Sequence, residues 1–271
     1  MIGAIAGDVI GSVFEWNSTK STRFELFSDK SDFTDDSVLT FAVARAILDA
    51  HPRLPTAAEY GARLLEFGRA YPGRGYGGSF HRWLHVGDLK PYNSFGNGSA
   101  MRVSAVGFAF DDEATVLQQA AESAAPTHDH PEGIRGAQAT ALAILLARKG
   151  ATKKEIRRRV QELSGYDLSR TVKSIRPTYS FDVTCQGSVA ESIIAFLDAR
   201  SYEGSVRNAI SLGGDADTQA CIAGGVAEAF YGVPATIDEG SRARLPKELL
   251  AILDEFQAAF SENISSERRQ S

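Results

Sequence analysis

Apolar positions recur at helical spacing along most of the 271-residue chain. Val38 to Asp49 (VLTFAVARAILD) is one such segment, and Ala57 to Ala70, Glu113 to Ala125 and Gly133 to Ala147 are others. The same period returns over Lys153 to Leu163, Val189 to Ala199, Val206 to Leu212, Asp217 to Tyr231 and Pro246 to Phe260. Alternating runs of β-branched residues and a βαβ rhythm are both missing, so the predicted fold class is all-α. Two segments are crowded with small residues, Gly133 to Leu146 and Thr218 to Tyr231. Small side chains let helices approach closely, which places these two at the centre of the bundle. Lys153-Lys154-Glu155-Ile156-Arg157-Arg158-Arg159 reads as a solvated helix face. No Ser/Gly-rich linker divides the chain, so one domain over residues 1–260 is expected, followed by a polar tail over 261–271.

Composition narrows the classes. Hydrophobic residues make up 43% of the chain, enough for a sizeable core. The 29 basic and 34 acidic residues leave a net charge of −5, with no basic excess to neutralise a nucleic acid backbone. Cys185 and Cys221 cannot form a disulfide framework. The short apolar start lacks a basic region and runs into Asp8, unlike a signal peptide, and no stretch is long enough to cross a membrane. The expectation is a cytoplasmic, monomeric enzyme.

Acidic residues gather at three places far apart in sequence. In Gly7-Asp8-Val9-Ile10-Gly11-Ser12-Val13-Phe14-Glu15, a continuous helix would set Asp8 and Glu15 on one face, roughly 10 Å apart along the axis, with Gly11 opening space between them. The second place is Thr34-Asp35-Asp36-Ser37, just before a helix. One such residue suffices as an N-cap, whereas four in a row bring together carboxylates that repel unless a cation holds them. The third, Gly213-Gly214-Asp215-Ala216-Asp217-Thr218, opens the small-residue helix, and its paired glycines allow close approach of backbone to a ligand. Neither of the latter two contains Cys or His. Such an oxygen-only set selects Mg²⁺, Mn²⁺ or Ca²⁺ over Zn²⁺, and the carboxylate count suits two ions about 4 Å apart.

Other segments bear on a ligand. The glycine-rich stretch Tyr92 to Arg102 offers backbone N–H groups suited to a phosphate, or an ordinary Asn-Gly turn. Gly73 to Phe80 reads as a flexible loop that can cover a site. His128 is either a substrate-contacting residue or a plain loop histidine, and its spacing to His130 is not that of a zinc site. Cys221 reads as a packed core thiol. Trp16, next to Glu15, either packs or lines the cleft.

In their order along the chain, GDVIGSVFE (Gly7 to Glu15), FTDDS (Phe33 to Ser37), SFGNGSAMR (Ser94 to Arg102), Thr127-His128 and SLGGDADT (Ser211 to Thr218) resemble the ADP-ribosylglycohydrolase family. The resemblance implies a compact orthogonal helical bundle with two Mg²⁺, sometimes Mn²⁺, in a central cleft. It implies that Thr34, Asp35, Asp36, Asp215, Asp217 and Thr218 hold the metals, and that Glu15 is a nearby ligand, gate, acid or base. Ser94, Gly96, Asn97 and Gly98 would hold the diphosphate of ADP-ribose, Phe95 would lie beside its nucleoside or ribose, and His128 would contact substrate. Ser37 stands where many members have Thr and keeps the hydroxyl. The reaction expected is hydrolysis at C1″ of the distal ribose, with Asp35 as first and Glu15 as second choice of proton-transfer group. A metal-dependent nucleotide-diphosphate phosphohydrolase and a non-catalytic ADP-ribose binder are the alternatives. For the acceptor, arginine, serine, a nucleobase, O-acetyl-ADP-ribose and a guanidine compound all stand open.

Overall fold

The computed structural model describes residues 1–265. Among them the chain forms α1 (Ile2–Gly11), α2 (Asp35–Ala50), α3 (Ala57–Ala70), α4 (Gly78–Val86), α5 (Gly98–Met101), α6 (Ser104–Ala109), α7 (Glu113–Ala124) and α8 (Pro131–Arg148). It continues through α9 (Lys153–Ser164), α10 (Val172–Ile175), α11 (Cys185–Leu197), α12 (Tyr202–Ile210), α13 (Ala216–Tyr231), α14 (Ala235–Arg242) and α15 (Lys247–Ser265). The described residues contain no strand, only an isolated bridge between Gly96 and Thr184.

Short polar side chains decide where most helices begin. Thr34, Thr56, Asp112, Thr152, Thr184 and Ser201 each accept a backbone N–H of the helix they precede. Each cap is worth about 1 kcal/mol. These caps also explain two boundaries that apolar spacing places too late: α11 starts at Cys185 and α12 at Tyr202 because Thr184 and Ser201 cap them. The expected tail begins inside α15, which runs to Ser265; residues 266–271 lie outside the described residues.

The small-residue helix α13 is the centre of the bundle, packed against α1, α5, α6, α8, α11 and α12. Its approach to α1 requires glycine on both sides. A Cβ on Gly7 would sit 2.0 Å from the carbonyl oxygen of Ala220, and one on Gly224 2.2 Å from that of Gly3. Glu228 on α13 receives the N–H of Gly3 at 2.7 Å, and the Tyr202 hydroxyl donates to the Gly3 carbonyl at 2.6 Å. Around this pair Phe41, Phe108, Phe196 and Phe256 are fully buried. Each such ring stabilises the fold by about 1.5–3 kcal/mol. With α1 clamped on α13, Asp8 on one helix and Asp217 on the other are held at the same depth.

An acid-lined cleft between the first and thirteenth helices

Asp8 is fully buried on α1 and is held by the residues that start α2. Its Oδ1 accepts the Thr34 hydroxyl at 2.7 Å, and its Oδ2 accepts the Thr34 N–H at 3.0 Å and the Ser37 N–H at 3.1 Å. The Ser37 hydroxyl donates to Oδ2 as well. Thr34 thus serves both as N-cap of α2 and as a donor to Asp8. The Asp35 N–H, anchored on the Arg74 carbonyl at 2.8 Å, fixes the other side of the segment.

Across from it, Asp215 and Asp217 come from the start of α13. The Thr218 hydroxyl donates to Asp36 Oδ2 at 3.2 Å, joining the two acidic segments directly. Carboxylate oxygens of Asp8, Asp36 and Asp217 lie within 4.8 Å of one another, and so do those of Glu15, Asp215 and Asp217. Two groups of three acids therefore share Asp217. Asp35 lines the same cleft but is partly exposed and stands outside both groups, its Oδ1 turned toward Gly75.

Glu15 reaches this place by another route than helical spacing suggests. The first helix ends at Gly11, so Asp8 and Glu15 do not share a helix face; Glu15 enters the cleft from the turns that follow. Gly11 does not open a gap between them. A Cβ there would lie 2.5 Å from Asp217 Cα, so the missing side chain lets the acidic start of α13 approach α1.

Burial dominates the electrostatics. It raises Asp8 despite its four hydrogen bonds. It lifts Asp36 and Asp217 well above the usual carboxylate range, with the neighbouring acids adding to the rise. Glu15 is pushed up to about 7, first by burial and then by the charge of Asp215. Among the described residues no Lys or Arg pairs with these acids, and Asp36 Oδ1 is buried without a hydrogen-bond partner. An oxygen-only set with an orphaned carboxylate oxygen and no organic counter-charge fits a hard divalent cation.

The cleft encloses about 500 Å³, in the range of small-molecule sites. Its opposite wall is the Ser94–Gly98 loop. Here the structure gives several expected residues duties inside the protein. The Ser94 hydroxyl accepts the Gly96 N–H at 3.1 Å, and the Val183 carbonyl accepts the Asn97 N–H at 2.8 Å. The Asn97 amide donates to Asp215 Oδ2 at 2.7 Å and to Ser188 at 3.2 Å. Asn97 is thus the link that ties the glycine loop to the acidic centre. Phe95 is half-exposed and meets the His130 ring edge-on at 5.5 Å. His128 is buried with its ring on the cleft, whereas His130 accepts the Glu132 N–H and caps α8.

Tyr76, Tyr92, Arg102, Phe181 and Val183 also line the cleft. Sequence reading assigned them no part in the site. Tyr76, Tyr92 and Arg102 stood inside segments already of interest, but Phe181 and Val183 precede α11 and carry no motif. The expected lid is only partly loop, since α4 begins at Gly78. Trp16 lies at the mouth, stacked on Phe181 with ring centroids 5.6 Å apart.

An all-helical scaffold thus closes around an acid-lined cleft, with a glycine loop on the facing wall. The ADP-ribosylglycohydrolase family model matches residues 1–268, so the chain belongs to that family of glycosidic hydrolases. It is similar to the ADP-ribosylhydrolase ARH3 of Mus musculus, with 26% identity over 86% of this chain and 83% of the relative. Against ADP-ribosylhydrolase ARH3 of Homo sapiens the identity is also 26%, over 86% and 84%. The fold is similar to that of a solved ADP-ribosylglycohydrolase-related protein complex, at a TM-score of 0.70 and 23% identity over 95% of this chain and 96% of that one. No helix among the described residues is long and apolar enough to cross a membrane.

Proposed function

We propose that this protein is a divalent-metal hydrolase that releases ADP-ribose from an acceptor by cleaving the C1″ glycosidic bond. The observation that carries the reading is the pair of acid groups sharing Asp217, set opposite the glycine loop across one cleft. Asp36, Asp215 and Asp217, with Thr34, Asp35 and Thr218 beside them, are the residues to hold two Mg²⁺ or Mn²⁺ ions. Bound there, such ions supply fixed positive charge for ribose hydroxyls and lower the pKa of an attacking water.

The chain's own residues do the rest. Asp8 and Ser37 hold the start of α2 in place. Asn97 orients Asp215 from the far wall. The Ser94–Gly98 loop and His128 take the diphosphate end, with Phe95 beside the nucleoside. Asp35, not shared between the two acid groups, is the first choice to accept a proton from water. Glu15, half-buried at the edge of the cleft beside Asp215, is the second choice, as the acid that protonates the departing acceptor atom or as the base. The developing positive charge at C1″ faces a wall of carboxylates, which favours an oxocarbenium-like transition state.

The test is product analysis on a panel of ADP-ribosylated substrates (arginine, serine, nucleobase and O-acetyl esters) with Mg²⁺ and with chelator. Free ADP-ribose and intact acceptor, formed only with metal and lost in Asp36→Ala, are expected. AMP as the product would instead identify a phosphohydrolase.

A further inference from the structure

Behind His128 the floor of the cleft holds two polar residues, Arg102 and Thr127, that the scheme above leaves unused. Arg102 is fully buried, and its Nη2 donates to the Ser123 carbonyl and to the Thr127 hydroxyl oxygen, each at 2.9 Å. Thr127 Oγ1 lies 2.7 Å from His128 Nδ1. A guanidinium can only donate, so the Thr127 oxygen accepts at that end and keeps one proton and one lone pair for Nδ1 and the Tyr92 phenol beside it. With the phenol donating into that lone pair, the proton goes to Nδ1, which is then an acceptor. In a neutral imidazole that places the ring's one N–H on Nε2. Burial, with the Arg102 charge alongside, keeps His128 neutral.

Nε2 faces the glycine loop. A Cβ added to Gly98 would lie 3.1 Å from it, and one added to Gly96 3.6 Å. Among the described residues Nε2 has no hydrogen-bond partner. Arg102 itself pairs with no carboxylate, and its buried Nε and Nη1 lack partners. An unpaired buried cation is a standing cost to the fold that an apolar side chain of similar size would not carry. A ligand with negative charge over this floor would offset it.

We propose that Arg102 and Thr127 are positioning residues that lock His128 as the Nε2–H tautomer, so that it donates a hydrogen bond to a phosphate oxygen of a diphosphate seated on the Gly96–Gly98 loop. The inference rests on the ADP-ribose reading for its natural ligand, but the tautomer is a property of the protein alone.

The experiment is ¹⁵N-histidine NMR of the full chain with Mg²⁺, with His128 assigned through the resonances lost in His128→Gln. ADP-ribose and inorganic pyrophosphate are titrated in parallel by calorimetry. The wild type should show protonated Nε2 and bare Nδ1. Thr127→Val should abolish that single tautomer and weaken both ligands about tenfold, the worth of one such hydrogen bond. Thr127→Ser should restore both readings. A wild type with the proton on Nδ1 overturns the proposal, as does Thr127→Val with unchanged tautomer and affinities. Pyrophosphate binding without ADP-ribose binding would sustain the positioning role and overturn the reading of function instead.

Discussion

Asp8 and Ser37 are bonded twice across 29 residues: Asp8 Oδ2 accepts both the backbone N–H of Ser37, at 3.1 Å, and its hydroxyl. This contact seats the start of the second helix on the first and sets where Asp36 points. Ser37→Ala should lower the unfolding free energy by about 1.5–3 kcal/mol, the range for a hydrogen bond to a charged group. It should also weaken Mn²⁺ binding, whereas Ser37→Thr keeps the hydroxyl and both properties. Urea unfolding and Mn²⁺ titration measure the two effects. An alanine variant equal to wild type in both would remove this contact from the account of the site.

Gly11 makes a second prediction. Because a Cβ there would stand 2.5 Å from Asp217 Cα and 2.8 Å from the Ala216 carbonyl oxygen, Gly11→Ala forces the start of α13 outward. Overpacking of this kind costs about 1–3 kcal/mol. The displaced backbone carries Asp217, the acid common to both groups, so divalent binding should fall more than stability does. Gly77→Ala is the control, since nothing lies within 4 Å of its added Cβ. Equal metal affinity in Gly11→Ala and wild type would show that α13 does not need this approach.

The longer helices and the acid segments were legible in sequence because both leave local marks, whereas the short α4, α6, α10 and α14 were not read from it. Apolar spacing fixes a helix face, and Asp35-Asp36 or Asp215-x-Asp217 is too acidic for a plain cap. Asp8 was half-legible. Its place in an apolar run suggested burial, but its partner segment begins at Thr34, and only packing joins them. Spacing misled at Glu15, because it assumed a helix that stops at Gly11. The glycine loop was legible as a loop, yet Asn97's bond to Asp215 spans 118 residues and has no local signature. Phe181 could not be found at all, since its place depends on long-range contacts, its own with Trp16 and that of Val183 with Asn97.

The raised carboxylates predict an unusual pH dependence for the metal-free protein. Glu15 titrates near 7 in the fold against an ordinary 4.5, and Asp36 and Asp217 are raised as well. The folded state therefore binds more protons than the unfolded state between these values, and stability falls as pH rises through that window. With EDTA present, the Tm should increase as pH is lowered from about 7.5 toward 5, the reverse of acid weakening. Added Mg²⁺ should raise Tm most at the upper end, where the acids are ionised. Differential scanning fluorimetry across pH tests this; a chelated protein whose Tm rises steadily with pH from 5 to 7.5 would contradict the shared acidic centre.

Trp16 is 83% exposed and is stacked on Phe181 at an interplanar angle of 25°. Its neighbour in sequence is Glu15, which lies with Asp215 and Asp217 at the acidic end of the cleft. Ser94, Gly96 and His128 belong to the glycine-loop wall, whereas Phe95 stands against His130 and is not among the residues that line the cleft. If the diphosphate lies along that wall and the distal ribose over the acids, the acceptor must leave past Glu15 and Trp16. The stacked pair then meets the acceptor, not the nucleoside. Trp16→Ala should raise KM about three- to tenfold for substrates with a flat acceptor such as a guanidinium or a base, since an aromatic contact is worth about 0.5–1.5 kcal/mol. Affinity for free ADP-ribose, which has no acceptor, should stay the same. An equal loss for free ADP-ribose would place the adenine on Trp16 and reverse the direction in which the substrate lies.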